Sequence, residues 1–425
     1  MQEPRKSISK YHNCRLCGGE FFRQVLELKP SPLANELYQT KALALDAERF
    51  PLNVVMCQVC AHVQLQHIVN AERLYSNYKY ASGTSQTFQK HFRDLAATLA
   101  NLGFSPELTL EIGSNDGTLL RELSIAGFNA VGIEPSAELV SSCKDGGLKA
   151  IQGYANSETL LEFEKEYGKP TVIIGNNVFA HIEHINELFS SFSKILKENG
   201  VVIIEVAHLK SLVEKGLFDT IYHEHMSYHS ILSFQIFVEK FGMEIFNVDE
   251  IPTHGGSVRI YISRQGERAI LDSVANMISS EKKVGLDKPS VLSKISLDIQ
   301  NLREQIEKRF SAGAEDQEIV YFGYGAPAKT VTFLSEMGLE NFEFHFVVDD
   351  NQSKQGHYLP GSGVRITSLS EMESFFRKHK LDELCCIIFP WNLQEELVTK
   401  LESLPVRKLR TLNFFPALNE RLIKS

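Results

Sequence analysis

The sequence carries no surplus of positive charge: 44 Lys and Arg stand against 53 Asp and Glu, a formal net charge of -9 with neutral histidines. Gripping nucleic acid through its phosphates calls for a basic face, and no Lys/Arg cluster of that density is present, so nucleic acid is not an expected partner. Long apolar runs are missing as well. None reaches the roughly 18 residues of a membrane-spanning helix, and neither a secretory leader nor a lipidation box is legible. A cytoplasmic protein without a membrane partner is therefore the expectation. Cysteine is scarce, seven residues in 425, and in that compartment disulfides are not expected. What the chain does have is 43% hydrophobic residues, enough for a large core shared among about two to three domains.

Four of the cysteines fall into two CxxC pairs, Cys14/Cys17 and Cys57/Cys60. Two such pairs bring four thiolates, the ligand set of a tetrahedral zinc ion. A site filled by protein sulfur leaves no open position for a substrate, so the metal is read as structural. The long segment between the pairs is no obstacle, because closure entropy grows by only about 0.6 kcal/mol per doubling of loop length. Gly18 and Gly19 suit a tight knuckle, while Cys143, Cys385 and Cys386 read as small buried hydrophobes. Between the knuckles, LELKPSPLANELY has the proline and asparagine content of a loop that leads into a short helix and can face a substrate. After Cys60, HVQLQHIV alternates like a strand.

The organising stretch is LTLEIGSNDG, Leu108 to Gly117. An apolar run carrying Glu111 meets glycines at 113 and 117, and TLLRELSIAGF then reads as an amphipathic helix: strand, glycine turn, helix. Such a turn lets backbone N–H groups approach a ligand at a helix N-terminus. The next apolar run, NAVGIE, ends in Glu134, where a carboxylate can accept from ribose hydroxyls. Glu111 would repel a pyrophosphate, whereas S-adenosylmethionine has no phosphate and brings an ammonium and a cationic sulfur. With Gly113, Asn115 and Asp116, the turn resembles that of class I S-adenosylmethionine-dependent methyltransferases, although Asn115 stands where many of them have a further glycine. Strands LTLEI, NAVGIE, KAIQ, TVIIGNN and VVIIEV alternate with helices, and MEIFNVDEI and SVRIYISR suit a closing antiparallel hairpin. TVIIGNN delivers Asn176 and Asn177 to the ligand-binding edge of such a sheet, and His181 and His184 follow.

Two polar stretches flank this alternation. LYSNYKYASGTS, residues 74 to 85, carries Tyr75, Tyr78, Tyr80 and Ser82 into the helix TFQKHFRDLAATLANLGF, and reads either as a capped connector or as one wall of a site. DTIYHEHMSYHS, residues 219 to 230, crowds together Tyr222, His223, Glu224, His225, Tyr228 and His229, groups that exchange protons or hydrogen bonds. A second metal does not suit the spacing: H-E-x-x-H puts two histidines on one helical face, whereas His223 and His225 share a face only on a strand. General acid/base work is the favoured reading over a polar surface loop.

Taken in order, the CxxC knuckles, EIGSNDG, NNVxAH, YHEHxxY and a C-terminal GYGAxxK turn cover nearly the whole chain. In these the sequence resembles the S-adenosylmethionine-dependent sugar C-methyltransferases, which act at C3 of nucleotide-linked 4-keto-deoxysugars in bacterial deoxysugar pathways. The resemblance implies a nucleotide-diphosphate 4-keto-deoxysugar as substrate and His225 as base. It places His181, Tyr222 and Glu224 around that base, with a connector tyrosine, Tyr78 or Tyr80. The chemistry agrees with the residues: a C4 ketone acidifies the C3 hydrogen, a histidine titrates in the right range to remove it, and the resulting oxyanion needs donors.

From Gln265 to about Ala314 the chain is charged and reads as a bridging helix. EIVYFGYGAPAKTVTFLSEMG then opens a second strand, glycine turn and helix. Gly323, Gly325 and Ala328 fit G-x-G-x-x-A, with Asp349 or Asp350 ending the next strand, which keeps an NAD-dependent oxidoreductase with a structural zinc as the alternative. Pro327 and Lys329 favour a sugar nucleotide's diphosphate instead, with Lys329 as charge partner. Pro360, Gly361 and Gly363 read as an exposed turn. The candidate substrate contacts are Ser82, Lys329 and Gly325. The expected fold is α/β: an N-terminal zinc-binding domain over 1–73, a central class I methyltransferase (Rossmann-like) domain over 74–264, a helical bridge over 265–314 and a smaller C-terminal Rossmann-like α/β domain over 315–425. Monomer and homodimer both stay open.

Overall fold

The computed structural model describes residues 8–75, 86–104, 107–311, 319–381 and 383–424. The candidate residues Tyr78, Tyr80 and Ser82 lie outside them. Seven strands form the central sheet, in the order Met243–Ile251, Ser257–Arg264, Val201–Ala207, Val172–Asn176, Leu108–Ile112, Asn129–Glu134, Lys149–Gln152. The last five are parallel, and Ser257–Arg264 runs antiparallel to both its neighbours. Successive residues of a strand point to opposite faces. Ile173 accordingly joins one apolar cluster with Phe189 and Phe234, and Ile174 another with Leu95 and Leu119. Burial on both faces explains why these strands read as near-continuous apolar runs. Strand order reverses at Leu108–Ile112, which opens a crevice at the carboxyl ends of the strands on either side.

The N-terminal sheet is antiparallel, built from Phe22–Pro32, Arg49–Cys57 and Val63–Leu65, and completed by Ser227–Tyr228 from the histidine-rich stretch. Here LELKPSP is strand and not loop. Phe22–Pro32 lies at the sheet edge and its register shifts between Leu28 and Ser31, so Pro30 falls where no ladder N–H is needed. HVQLQHIV divides in two: Val63–Leu65 stays in this sheet, and His67–Val69 pairs with Ile8–Lys10.

The bridge is two helices, Asp272–Val284 and Ser293–Ser311, because Gly285 ends the first in the left-handed region at φ 86°. Ile295, Ile299, Leu302 and Ile306 form the buried stripe of the second, in one cluster with Leu26 and Leu28 of the N-terminal sheet and Val331 and Leu334 further on. Each such side chain contributes about 1.5–3 kcal/mol on burial, so the bridge joins its neighbours through a shared core. The C-terminal sheet has the order Ile366–Thr367, Val347–Val348, Val320–Tyr324, Glu383–Ile388, Lys408–Asn413, Asn419–Lys424, with only the last strand antiparallel. The turn at Pro360, Gly361 and Gly363 is buried, contrary to expectation, because it packs on the helix Lys41–Leu45, with Gly361 N–H donating to Ala44 O at 2.7 Å.

Candidate active site

The four cysteines of the two knuckles converge, all their sulfurs within 4.8 Å of one another. Cys14 and Cys60 are 3.6 Å apart and Cys17 and Cys57 3.5 Å, close to the ~3.8 Å edge of a tetrahedron with Zn–S bonds of about 2.3 Å. The N–H groups of Gly19 and Val59 donate to Cys17 Sγ at 3.3 Å and Cys57 Sγ at 3.4 Å, which orients the thiolates. A Cβ at Gly19 would press within 2.9 Å of Val59 Cγ2, so a larger residue there requires that exposed side chain to shift.

At the sheet's carboxyl edge, Gly113 takes φ 69° and Gly117 φ 74°. Asn115 takes φ 49°, a conformation that asparagine tolerates better than most residues, and this is how it stands in for a glycine. Glu111 is buried, and its Oε2 has no hydrogen-bond partner among the described residues. Burial, with Asp116 and Glu134 nearby, holds its carboxyl well above the usual range. An unpartnered buried carboxylate costs stability unless a cation meets it, and the ammonium of S-adenosylmethionine fits that need. Glu134 accepts from the N–H groups of Asn115 and Ser136, both at 3.0 Å, so it shapes the turn while keeping lone pairs for ribose hydroxyls. Asp116 caps the following helix through Thr118, with Oδ1 accepting its hydroxyl at 2.7 Å. Asn176 presents a buried amide with neither atom partnered among the described residues, and Asn177 sits at φ 56° beside it.

The histidine-rich stretch is pinned at two points to the N-terminal sheet. His223 Nε2 donates to Phe50 O at 3.2 Å, and Ser227–Tyr228 pairs with Val63–Leu65. Between them Glu224 and Met226 stay with the N-terminal segment, and His225 turns to Thr220 and Tyr222. His225 Nδ1 donates to Thr220 O at 2.8 Å, which leaves Nε2 as the acceptor, and the Tyr222 hydroxyl lies 2.8 Å from it. Burial pushes His225 down to about 4, opposed by the Thr220 carbonyl. The His181 ring stands edge-on, 4.9 Å from that of His225, and burial followed by the two neighbouring imidazoles keeps it well below its usual value. Glu224 accepts from Asn35 Nδ2 at 2.8 and 2.9 Å, and burial pushes it up to about 7 against the pull of Asn35 and Lys354. His181, Tyr222 and His225 are thus brought together, while the Glu224 side chain is held by Asn35. His184 is exposed at the start of the helix Ile185–Ile195.

The second glycine turn has Gly323 where the first has Glu111. Gly325 N–H donates to Val348 O at 2.6 Å, and Ala326 N–H donates to Asp349 Oδ2 at 2.7 Å. Lys354 Nζ donates to Ala326 O at 2.8 Å. The first turn makes the same two amide bonds, Gly113 N–H to Ile133 O at 2.9 Å and Asn115 N–H to Glu134 Oε2 at 3.0 Å, so what sets the second apart is Lys354 on its carbonyl and Gly323 in place of Glu111. Lys329 lies 4.1 Å over the Trp391 ring and donates to Asn392 Oδ1. Burial pushes it down to about 8, with Asp219 pulling it back up.

Sequence reasoning missed several residues here. Asp219, pushed up to about 6 by burial, accepts from Trp391 Nε1 at 2.7 Å. Asn35 reaches Glu224, and the pair Glu205 and Arg259 is buried at the tips of two adjacent strands. His254 shares a cavity with His225 and Thr220. The one available signal for it was the Gly-Gly pair that follows, which is more than a hairpin turn requires.

Three family models match consecutive stretches: a zinc binding domain over residues 14–75, a methyltransferase domain over 85–248 and a C-methyltransferase C-terminal domain over 252–415. The chain is similar to the C-methyltransferase NovU of Streptomyces niveus, 29% identical over 388 residues, covering 91% of both chains. Among solved structures it is similar to magnesium protoporphyrin IX methyltransferase of Synechocystis PCC 6803 with bound SAH, at 17% identity over 42% of this chain and 83% of that one, with a TM-score of 0.34. It is also similar to the PH0226 protein of Pyrococcus horikoshii OT3, at 13% identity over 46% and 98%, with a TM-score of 0.35.

Proposed function

We propose that the chain, which three family models and the C-methyltransferase relative support as an S-adenosylmethionine-dependent C-methyltransferase, methylates C3 of a nucleotide-linked 4-keto-deoxysugar through an enolate. It takes S-adenosylmethionine at the first glycine turn and zinc at the four cysteines. When bound, the cofactor supplies an electrophilic methyl group. Glu111 faces its ammonium, Glu134 its ribose, and Gly113, Asn115, Asp116, Asn176 and Asn177 line its bed.

The single observation that carries the reading is the state of His225: Nδ1 is committed to Thr220 O, Nε2 is the acceptor and is held by the Tyr222 hydroxyl until substrate displaces it, and the residue lines a cavity. A neutral imidazole so oriented removes a proton from carbon next to a ketone. Tyr222 steadies Nε2 and is placed to pass the proton on, His181 walls the pocket, and Glu224, held by Asn35, orients the sugar. Lys329 supplies positive charge toward the substrate from the C-terminal side. Tyr78, Tyr80 and Ser82 stay with the proposal as the connector's contribution.

The test is deuterium exchange at C3 of such a sugar nucleotide in D2O without cofactor, followed by product mass with it. The wild type exchanges and then gains one methyl, and His225→Ala loses both by about 10²–10⁴-fold. Methylation of the sugar in the wild type without any C3 exchange, or exchange that persists in the variant, removes His225 from the base role.

A further inference from the structure

We infer that His254 is a second catalytic imidazole, which donates a hydrogen bond to the ketone oxygen as negative charge gathers there; this rests on His225 being the base and deepens that reading. His254 sits at the tip of the hairpin between Met243–Ile251 and Ser257–Arg264, at φ 53°, in the left-handed region, which is uncommon for residues other than glycine although histidine, like Asn and Asp, enters it more readily than most. A strained residue persists only where its surroundings over-determine it, and here they do. Thr253, just before it, donates to Glu205 Oε1 at 3.1 Å. Glu205 in turn accepts from Arg259 Nη2 at 2.9 Å through Oε2, across the two paired strands, and His91 Nε2 lies 2.8 Å from its Oε1. The Phe88 ring packs against the imidazole at a tilt of 41°, with centroids 5.0 Å apart. Gly255 and Gly256 follow at φ 87° and 134°, and a Cβ on either would run into Trp391 or Ser211.

The outcome of this bracing is that the imidazole stands on the wall of the cavity that also holds His225, Thr220 and Ala180. Burial, reinforced by the Lys329 cation, pushes His254 down to about 4, so it is neutral at ordinary pH and presents one N–H donor. A fixed donor in a pocket shielded from water stabilises a developing oxyanion without reorganising. In the step it serves, the His225 Nε2 lone pair takes the C3 hydrogen as a proton and the C3–H electron pair becomes a C3–C4 π bond. The C4=O π pair moves onto oxygen, where the His254 N–H receives it.

The test uses His254→Asn, which keeps a residue suited to the left-handed backbone but is too short to reach the same point, and His254→Gly, which removes the strain altogether. C3 exchange in D2O without cofactor and methyl transfer with it are measured on one nucleotide-linked 4-keto-deoxysugar, with S-adenosylmethionine binding as the control for folding. Both rates fall about 10²–10³-fold in both variants while cofactor binding is unchanged. Exchange that stays at the wild-type rate in either variant overturns the inference, even where methyl transfer falls, since a donor to the enolate must act on exchange. A wild type that neither exchanges nor methylates such a sugar removes the His225 reading and this inference together. Wild-type exchange alongside unaffected variants removes this inference alone.

Discussion

Two strand, glycine turn and helix units lie in this chain, one running from Leu108 to Ile125 and the other from Val320 to Met337. In sequence both look like places to hold a ligand. In the first, polar groups are held open at a cost: Glu111 Oε2 is buried without a partner among the described residues, and Gly113 and Asn115 both adopt the left-handed backbone. The backbone bonds are alike in the second, Gly325 to Val348 and Ala326 to Asp349 matching Gly113 to Ile133 and Asn115 to Glu134, and it is closed in one sense: Gly323 stands where the first has Glu111, and Asp349 has Lys354 beside it at 3.9 Å. A buried carboxylate oxygen without a partner is costly, so Glu111 marks where something else belongs. Glycine spacing makes the shape of a turn; the fate of its donors and acceptors decides whether it is a site or a joint.

The sharpest way to break that contrast is to neutralise one carboxylate at each turn. On the proposed cofactor site Glu111→Gln removes the carboxylate that would meet the ammonium, and truncating one member of a buried charge pair typically costs about 2–5 kcal/mol. S-adenosylmethionine affinity, measured by calorimetry, therefore drops by a factor of roughly 30 to several thousand. Asp349→Asn, at the closed turn, leaves that affinity unchanged. Equal losses in the two variants would mean that the open carboxylate has no special part in binding.

The same contrast explains what was legible in the sequence. Features carried by local pattern could be read: the two CxxC pairs, the alternation of strands and helices, the closing hairpin, and the crowding of Tyr222, Glu224 and His225. Partnerships made by the fold could not. Asn35 meets Glu224 across 189 positions, and Asp219 meets Trp391 across 172, with nothing in either neighbourhood to announce it. His254 was hidden for a different reason, since its signal is a backbone angle. Where local composition did mislead, tertiary placement had won: an edge strand with a register shift accommodates the prolines of LELKPSP, and a docked helix buries the turn at Gly361.

A second pair of variants separates shape from chemistry. Gly325→Ala adds a Cβ that runs into the rigid Pro390 ring at φ 83°. Left-handed strain of about 1–2 kcal/mol plus overpacking of about 1–3 kcal/mol lowers its unfolding free energy while S-adenosylmethionine binding stays as in the wild type. Gly113→Ala meets Val178 Cγ2, the far end of a side chain, at 2.9 Å and φ 69°. Its stability loss is the smaller, about 1–2 kcal/mol, yet cofactor affinity falls with it because the added methyl stands in the cofactor's bed. Denaturant unfolding and calorimetry on both proteins read the two effects apart, and a Gly325→Ala protein that loses cofactor would make the second turn a site after all.

The smallest expected effect is a slope. Burial, then Asp116 and Glu134, raises the Glu111 carboxyl well above its unfolded value. A carboxyl raised by folding contributes stability that is complete below its unfolded pKa and is lost as pH climbs through the folded one. Without cofactor, the protein therefore loses stability as pH rises out of the ordinary carboxylate range. Glu134, raised mainly by burial, adds to the same trend. Bound S-adenosylmethionine reverses the sign at Glu111, because its ammonium favours the ionised form, so the stabilisation it confers grows with pH over that window. Thermal unfolding at a series of pH values, with and without cofactor, checks this in the wild type and in Glu111→Gln. The variant, with no proton to lose at that position, gives a flatter profile and a cofactor shift that no longer widens with pH. A wild type and variant with parallel profiles would place the titrating group elsewhere and leave the first turn as closed, in effect, as the second.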